Sequence, residues 1–556
     1  MKKCLYFLFL LGMAFPLAAQ EGIVERVWVA TDKAIYLAGE RVHCSAFCVD
    51  AAGGFSTLSR VAYLELHSAD GLVVTSKLAL DGGRGGGYFD LPASLPTGNY
   101  RLIAYTAQNR NEVGYDFSGP ASRTLSVFNT QTTGRVKDGV AVVSREEYDS
   151  LRFLVKPGIT QNGGLSVSIE DGTLTMTNET ATDMTLYLSV YRDDGILLPF
   201  SPDLAAFLKE IRQTGSQRFE NRVLPDYEGE VLQARITGLT PQELQAVVGK
   251  SMFLSTPSDQ AEVHVAPITG NGQTTFLTGN IYGPREMICQ VEGAMLPAGA
   301  CIEFLSPFVN TPVEAPETLR LTESIAPALE MRAAQLKAER PQMDTLSDYL
   351  PRKEYFLLDD APVVYPLDDY TRFNSLEETF IEFIPQVRVR QDRNGMSLVQ
   401  VRLEDVVENP FFSNDPALLL LDGVPILDHA KMLRYDPRLV KTIEVYPRTH
   451  YLGGRAWPGV VQFFTQKRNL TSFKLDDGVQ VVDFQGISWP TIWMGDNFWH
   501  PLVDLGPFLT RQFTGILPTA PGRYIIHIGG MTTDAQHSVS ATILTEIPIR
   551  TGSTGQ

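Results

Sequence analysis

Cysteine is scarce: the chain has five in 556 residues. A small secreted scaffold held by disulfides is Cys-dense, so that class is excluded. Positive charge is also short, with 47 Lys and Arg against 64 Asp and Glu and a net charge of −17. Such a chain repels phosphate backbones, which excludes nucleic acid as a partner. Only one long apolar run exists, Leu5 to Leu17, and it is shorter than the roughly 20 residues that a spanning helix needs. Membrane association is therefore expected only through partners. Catalytic signatures are missing too. No HExxH, CxxC, Gly-x-Ser-x-Gly or Walker loop stands in the chain, and its eight His are scattered. No enzyme, cofactor or metal is expected from these patterns.

What is present begins with a leader. Lys2 and Lys3 precede the apolar run, and Leu17-Ala18-Ala19 supplies small residues ahead of Gln20. This layout predicts a cleaved secretory signal at 1–19; the alternative is an uncleaved anchor. Cys4 lies before the run, where a lipid-modified cysteine cannot sit, so no lipoprotein is expected. Four cysteines remain after cleavage. Cys44 and Cys48 lie four apart in a strand, ~13 Å, too far to pair with each other. Cys289 and Cys301 flank Pro297 to Gly299 and form a possible disulfide across a hairpin, or else are two small buried side chains.

The remaining residues read as a mainly β protein. The 46 Gly and 34 Pro are spread along the chain, as suits short strands joined by turns. Alternating segments at Val24–Val29, Arg41–Phe47, Val61–Leu66, Leu72–Leu80, Asn99–Thr106 and Thr124–Phe128 predict a β-sandwich over 20–130. Weaker patterns predict a second sandwich at 131–224, with a short helix near Pro202–Arg212. A third is expected at 225–308. Residues 309–372 change character: Ile325–Ala338 is helix-like, and the rest is rich in Pro, Asp and Tyr. They are expected to form a connector draped over other domains.

Asp32-Lys33-Ala34-Ile35-Tyr36-Leu37-Ala38-Gly39-Glu40-Arg41-Val42 resembles the "Asp-Lys-x-x-Tyr-x-x-Gly-Glu-x-Val" signature of macroglobulin-type domains. Asp90-Leu91-Pro92 and Gly98-Asn99-Tyr100 resemble the later corner of the same domain. The resemblance covers about 105 residues and implies an interaction module. Relatives that trap proteases carry a Cys-x-Glu-Gln thioester motif. This chain has none, so that activity is not carried over.

Residues 373–470 combine a helix starting in Asn374-Ser375-Leu376-Glu377-Glu378, an N-cap followed by acidic residues, with alternating strands and the turn Asp422-Gly423-Val424-Pro425. Leu439–Val445 is expected as a strand, then a Gly-rich loop from Tyr451 to Gly459, then Val460–Thr465. Ile384-Pro385-Gln386-Val387, Leu421-Asp422-Gly423-Val424-Pro425, Ile443-Glu444-Val445 and Tyr451-Leu452-Gly453-Gly454-Arg455 resemble, in order, motifs of the plug domain of TonB-dependent outer-membrane receptors, especially of the Bacteroidetes type. Trp457-Pro458 and the extra Gly454 depart from that pattern. Only about 90 residues follow Thr465, whereas a transporter barrel needs well over ~200. A plug-like domain without a barrel of its own is expected, followed by a C-terminal β segment at 471–556. Another Gly-x-Tyr stands there at Gly522-Arg523-Tyr524. The whole order resembles Bacteroidetes envelope proteins that join macroglobulin-like and plug-like domains.

Other features carry blander alternatives. Asp81 to Gly87 is glycine-rich, but Tyr88 to Leu91 continues as a strand, so a mobile hairpin loop is expected rather than a phosphate cradle. Asp359, Asp360, Asp368 and Asp369 either bind a metal through oxygen or form a solvated acidic loop. Trp489, Trp493 and Trp499 form either a carbohydrate platform or a packed domain contact. The expected function is that of a non-enzymatic envelope binding or assembly protein, a β-sandwich stalk with a plug-like docking module, at the periplasm or outer membrane. The alternative is an accessory, ligand-handling component of a TonB-dependent transport system. The partner would be an envelope or outer-membrane protein. Tyr451, Arg455 and Trp457 are the candidate partner-binding residues, because Tyr, Arg and Trp dominate interface hot spots; alternatively Trp457 packs into the chain's own core. The plug-like module lacks a barrel to cover it, and the connector or the tryptophan-rich segment is expected to cover part of it.

Overall fold

The computed structural model describes residues 23–548 except 120, 133–138, 152–157, 200, 258–261, 294–295, 298, 347–360, 405–410 and 496. The expected cleavage site near Ala19, and Asp359 and Asp360, lie outside the described residues. Strands dominate, arranged as three β-sandwiches and one smaller α/β module.

The first sandwich stacks a three-stranded sheet, with Arg41–Asp50 between Glu25–Thr31 and Arg84–Asp90, on a five-stranded one. Val27, Val42, Leu64, Leu102 and Val127 fill the space between them. The Asp32–Glu40 signature is a local staple. Asp32 accepts hydrogen bonds from the Tyr36 hydroxyl at 2.7 Å and from the His43 N–H at 3.0 Å. Lys33 pairs with Glu40 at 3.0 Å. The turn is thereby tied to the strand that follows it. Burial pushes the Asp32 carboxyl up to about 6, against the pull of Lys33. At the Gly98–Tyr100 corner the Tyr100 hydroxyl donates to Pro96 O at 2.6 Å. Tyr524 makes the same four-residue reach to Ala520 O at 3.0 Å. Both are tyrosine corners, with a buried ring and a satisfied hydroxyl.

The glycine tract is not a mobile loop. Arg84–Asp90 is a strand in register with Arg41–Phe47. A side chain on Gly85, Gly86 or Gly87 would overlap Ala79 O, the Pro501 and Pro490 rings, or Ser488 respectively. Glycine is needed here because other segments approach the strand closely.

The second sandwich is not continuous in sequence. Met184–Arg192 lies between Phe498–Leu505 and Gly522–Thr532, in a six-stranded sheet that also holds Gly158–Asn162 and Ser538–Ile547. Thr510–Thr514 joins Leu165–Glu170 and Thr173–Asn178 in the facing sheet. The C-terminal β segment is thus half of this domain. The third sandwich is likewise completed from afar, because Gln480–Gln485 pairs with Pro284–Val291.

Cys289 and Cys301 do not face each other across a hairpin. Cys289 is paired with Leu254 and Gln480 in one sheet, and Cys301 with Thr237 in the other. The chain between them crosses from sheet to sheet. Both thiols are free, Cys289 buried and Cys301 exposed. Burial pushes the Cys289 thiol up to about 12.

The connector holds the helix Ala326–Leu346. Ile325 and Leu336 pack with Leu37, Phe128, Tyr148 and Ile196 of the first two sandwiches. Arg332 pairs with Asp194 and donates to Ile35 O at 3.1 Å. The end of the connector belongs to the α/β module, since Val363–Pro366 pairs with Val440–Leu452. No helix of the described residues is long and apolar enough to cross a membrane.

Candidate functional site

The α/β module is built on a five-stranded sheet in the order Val363–Pro366, Val440–Leu452, Arg455–Thr465, Leu418–Leu421, Val424–Pro425. A helix, Leu376–Phe383, starts where Ser375 accepts from the Glu378 N–H at 3.2 Å. With a small second sheet of Val387–Gln391, Ser397–Leu403 and Phe411–Phe412 it covers one face of the main sheet.

Side chains alternate across a strand, and in Leu418–Leu421 both sets are buried. Leu419 and Leu421 join Phe380, Val401, Ile443, Val461 and Phe463 in the module's own core. Leu418 and Leu420 point the other way, into a cluster with Tyr446, Trp457, Val460 and Phe253. Phe253 belongs to the third sandwich. The face of the module's sheet turned away from its own core is therefore covered by the third sandwich, with Val263 and Val265 alongside. Among the described residues neither the connector nor the tryptophan segment joins this cluster, while the end of the connector adds Tyr365 and Leu367 to the core on the module's other face.

Asp422 and Gly423 both have positive φ, 49° and 86°, and Leu421 pairs with Val424. This is the two-residue hairpin that Asp-Gly favours. Asp422 also anchors the strand beyond it. It is fully buried and accepts from the Thr465 N–H at 2.7 Å, the Thr465 hydroxyl at 2.7 Å and the Leu470 N–H at 2.8 Å.

The Tyr451–Gly459 segment is the end of a long hairpin rather than a loop. His450 pairs with Trp457, Tyr451 with Ala456, and Leu452 with Arg455. Only Gly453 and Gly454 form the turn. The structure separates the three candidate residues. Trp457 is 4% exposed and lies against Phe253, ring centroids 6.0 Å apart. Arg455 stacks over Trp457 at 4.2 Å and pairs with Glu292 of the third sandwich. Both make contacts that hold the module to its own chain, with Trp457 buried and the Arg455 side chain still 41% exposed. Tyr451 is the most open of the three, at 77% exposure. No sequence signal told a strand residue turned toward a neighbouring domain from one turned toward a partner.

The outer layer of the module carries exposed apolar side chains that sequence reasoning missed: Ile381 on the helix, Met396 in the small sheet's turn and Phe411 on its edge strand. In Leu376–Phe383 the residues Leu376, Thr379 and Phe380 are buried and Phe383 packs against the same core, a pattern that marks Ile381 as outward at helical spacing.

The other candidate features resolve toward packing. Trp489, Trp493 and Trp499 are buried, against Tyr88, His43 and Tyr187. They form domain contacts, not a carbohydrate platform. Asp368 pairs with Arg372. Among the described residues no group of three or more His, Cys, Asp or Glu is placed to hold a metal. A cavity of about 260 Å³ lies between the first sandwich and the helix Leu204–Gln213, lined by Tyr115, Phe117, Phe207 and Glu210. The paired Arg26 and Glu112, 2.8 Å apart, form part of its wall.

Residues 26–118 match the MG2 domain model, so the first sandwich is a macroglobulin-like domain. Among solved structures, trypsin-activated alpha-2-macroglobulin from Escherichia coli aligns over 95% of this chain and 42% of that one, at 9% identity and a TM-score of 0.23. Salmonella alpha-2-macroglobulin reacted with methylamine aligns over 94% and 23%, at 10% identity and 0.15. Dimeric latent PorU from Porphyromonas gingivalis aligns over 94% and 33%, at 8% identity and 0.15. At these TM-scores the likeness carries no argument about domain arrangement or function. The chain spans less than half the length of these structures. No curated protein matches it.

Proposed function

We propose that the chain is an exported, non-enzymatic binding or assembly protein of the cell envelope, in which a stalk of β-sandwiches carries a plug-like docking module. The stalk is macroglobulin-like at its first domain and β-sandwich in the next two. The observation that carries the reading is the two-faced burial of the module's sheet. One face is seated on the third sandwich through Trp457 and Phe253, while the outer layer is left with Ile381, Met396 and Phe411 exposed. A module held on one side, with Ile381, Met396 and Phe411 exposed on the other among charged residues, suits capture of a protein partner in the periplasm or at the outer membrane.

Crosslinking in envelope membranes tests this. The Ile381→Glu and Phe411→Glu variants are expected to fold and to lose the proteins that copurify with the unaltered chain. Retention of every partner by both folded variants would reject the outer layer as the docking face. Export is tested by intact mass, where cleavage near Ala19 is expected and a retained Met1 on cytosolic protein rejects it. A second reading, an accessory ligand-handling role beside a separate TonB-dependent barrel, rests on the ordered plug-like motifs. Copurification of a barrel receptor favours it.

A further inference from the structure

Two carboxylates and one ammonium are buried together where the first sandwich meets the third. Asp226, 1% exposed, accepts from the Tyr63 hydroxyl at 2.8 Å and the Val231 N–H at 2.8 Å. Glu230, fully buried, pairs with Lys77, which is itself 3% exposed. The Lys77 ammonium lies 4.4 Å from the centre of the Phe484 ring. Three distant parts of the chain meet here. The first sandwich supplies Tyr63 and Lys77, the third supplies Glu230 with Asp226 just ahead of its first strand, and the returning strand Gln480–Gln485 supplies Phe484. Main-chain bonds tie the same parts, from Arg60 N–H to Asp226 O and from Ser488 N–H to Lys77 O, each 2.8 Å.

The charges do not balance. With both acids ionised, one cation faces two anions. The remaining charged neighbours do not make up the difference. The Arg60 side chain reaches Asp81, 3.6 Å away at the surface, and Arg110 is bonded to Pro307 O at 2.7 Å. One oxygen of Glu230 has no hydrogen-bond partner. An excess buried charge is costly, and uptake of a proton removes it.

We propose that the Asp226–Glu230 pair binds one proton at this junction, making it a pH-sensitive latch between the first and third sandwiches that holds most firmly in acidic medium and loosens toward neutral pH. Burial raises the Asp226 carboxyl to about 7; Glu230 adds to the rise, and the Val231 and Tyr63 bonds and Lys77 oppose it. Glu230 is raised as well, by burial, against Lys77. A carboxyl raised in the folded state costs stability once the unfolded chain ionises. The latch is therefore at full strength below roughly pH 4, the ordinary carboxylate range, and weakens as pH rises from there. The loss is complete above about 7. This inference is independent of the docking role proposed above.

The test is the unfolding midpoint of the full chain followed across that pH range. The unaltered protein is expected to lose stability with rising pH, and Asp226→Asn to lose most of that dependence. Glu230→Gln removes the like charge, so its loss should fall at lower pH. Tyr63→Phe removes a hydrogen bond to the carboxylate while keeping every charge, so its loss should fall at higher pH. The opposite shifts of these two variants distinguish a shared proton from a general packing effect. An unshifted profile in Tyr63→Phe, or an unchanged slope in a folded Asp226→Asn, overturns the latch.

Discussion

Asp422 serves two purposes at one position, as a left-handed turn residue at φ 49° and as a buried acceptor of three hydrogen bonds. Asparagine tolerates the same φ, so Asp422→Asn isolates the second role. It exchanges an acceptor for a donor opposite existing donors, and a loss of about 1–3 kcal/mol is expected in denaturant unfolding. Trp457→Ala opens a cavity beside Phe253 and Leu420, and about 3–5 kcal/mol is expected there. Arg455→Ala should cost under about 1 kcal/mol, because its ion pair is partly solvated. If Trp457→Ala left stability unchanged but removed a copurifying protein, the tryptophan would be a partner residue after all. The Asp-Gly turn was legible from two adjacent letters because its cause is local backbone geometry. The burial of Trp457 was not, because period-two alternation states that a face is covered without stating by what.

Among the elements, the hairpin Val440–Leu452 with Arg455–Thr465 carries the seating of the module. Its turn offers a paired test. Gly453 and Gly454 both have positive φ, 61° and 77°. A Cβ on Gly453 would lie 2.6 Å from Val265 O of the third sandwich, while nothing lies within 4 Å of one on Gly454. Asparagine accepts the φ at either place. Gly454→Asn is therefore expected within about 0.5 kcal/mol of the parent, and Gly453→Asn to lower the melting temperature clearly by forcing the turn off Val265. Equal effects would mean that the turn does not press on the third sandwich. Strands such as Leu165–Glu170 and Thr173–Asn178 were readable because hairpin neighbours repeat their alternation close by. The expected Cys289–Cys301 hairpin failed because a Pro-Gly turn reverses a chain without specifying the sheet that it rejoins.

At the scale of the whole molecule the domains are nested. The third sandwich lies between the two halves of the second, and the α/β module lies between Cys301–Phe304 and Gln480–Gln485 of the third. A linear series of domains is the natural reading of the sequence, since nothing in a strand's own residues reveals that Met184–Arg192 pairs with Gly522–Thr532 more than 300 residues on. The consequence is testable by truncation. A chain ending at Val479 keeps every residue of the module's two sheets but loses Phe498, Val503, Ile526, Ile528 and Ile543 from the second core. It also loses Pro501 and Ser488, which cover the glycine strand of the first sandwich, and Phe484 at the buried Lys77. An open sheet with its inner face uncovered is both unstable and aggregation-prone. Limited proteolysis of the truncated chain is therefore expected to cut within 158–192 at once, while 363–470, with its own core, is cut slowly. Supplying residues 480–556 in trans should restore protection, because the missing strands add back by edge pairing and burial rather than by covalent order. Protection of 158–192 without that segment would show that the first half of the second sandwich closes by itself, and the nested arrangement would then not govern its folding.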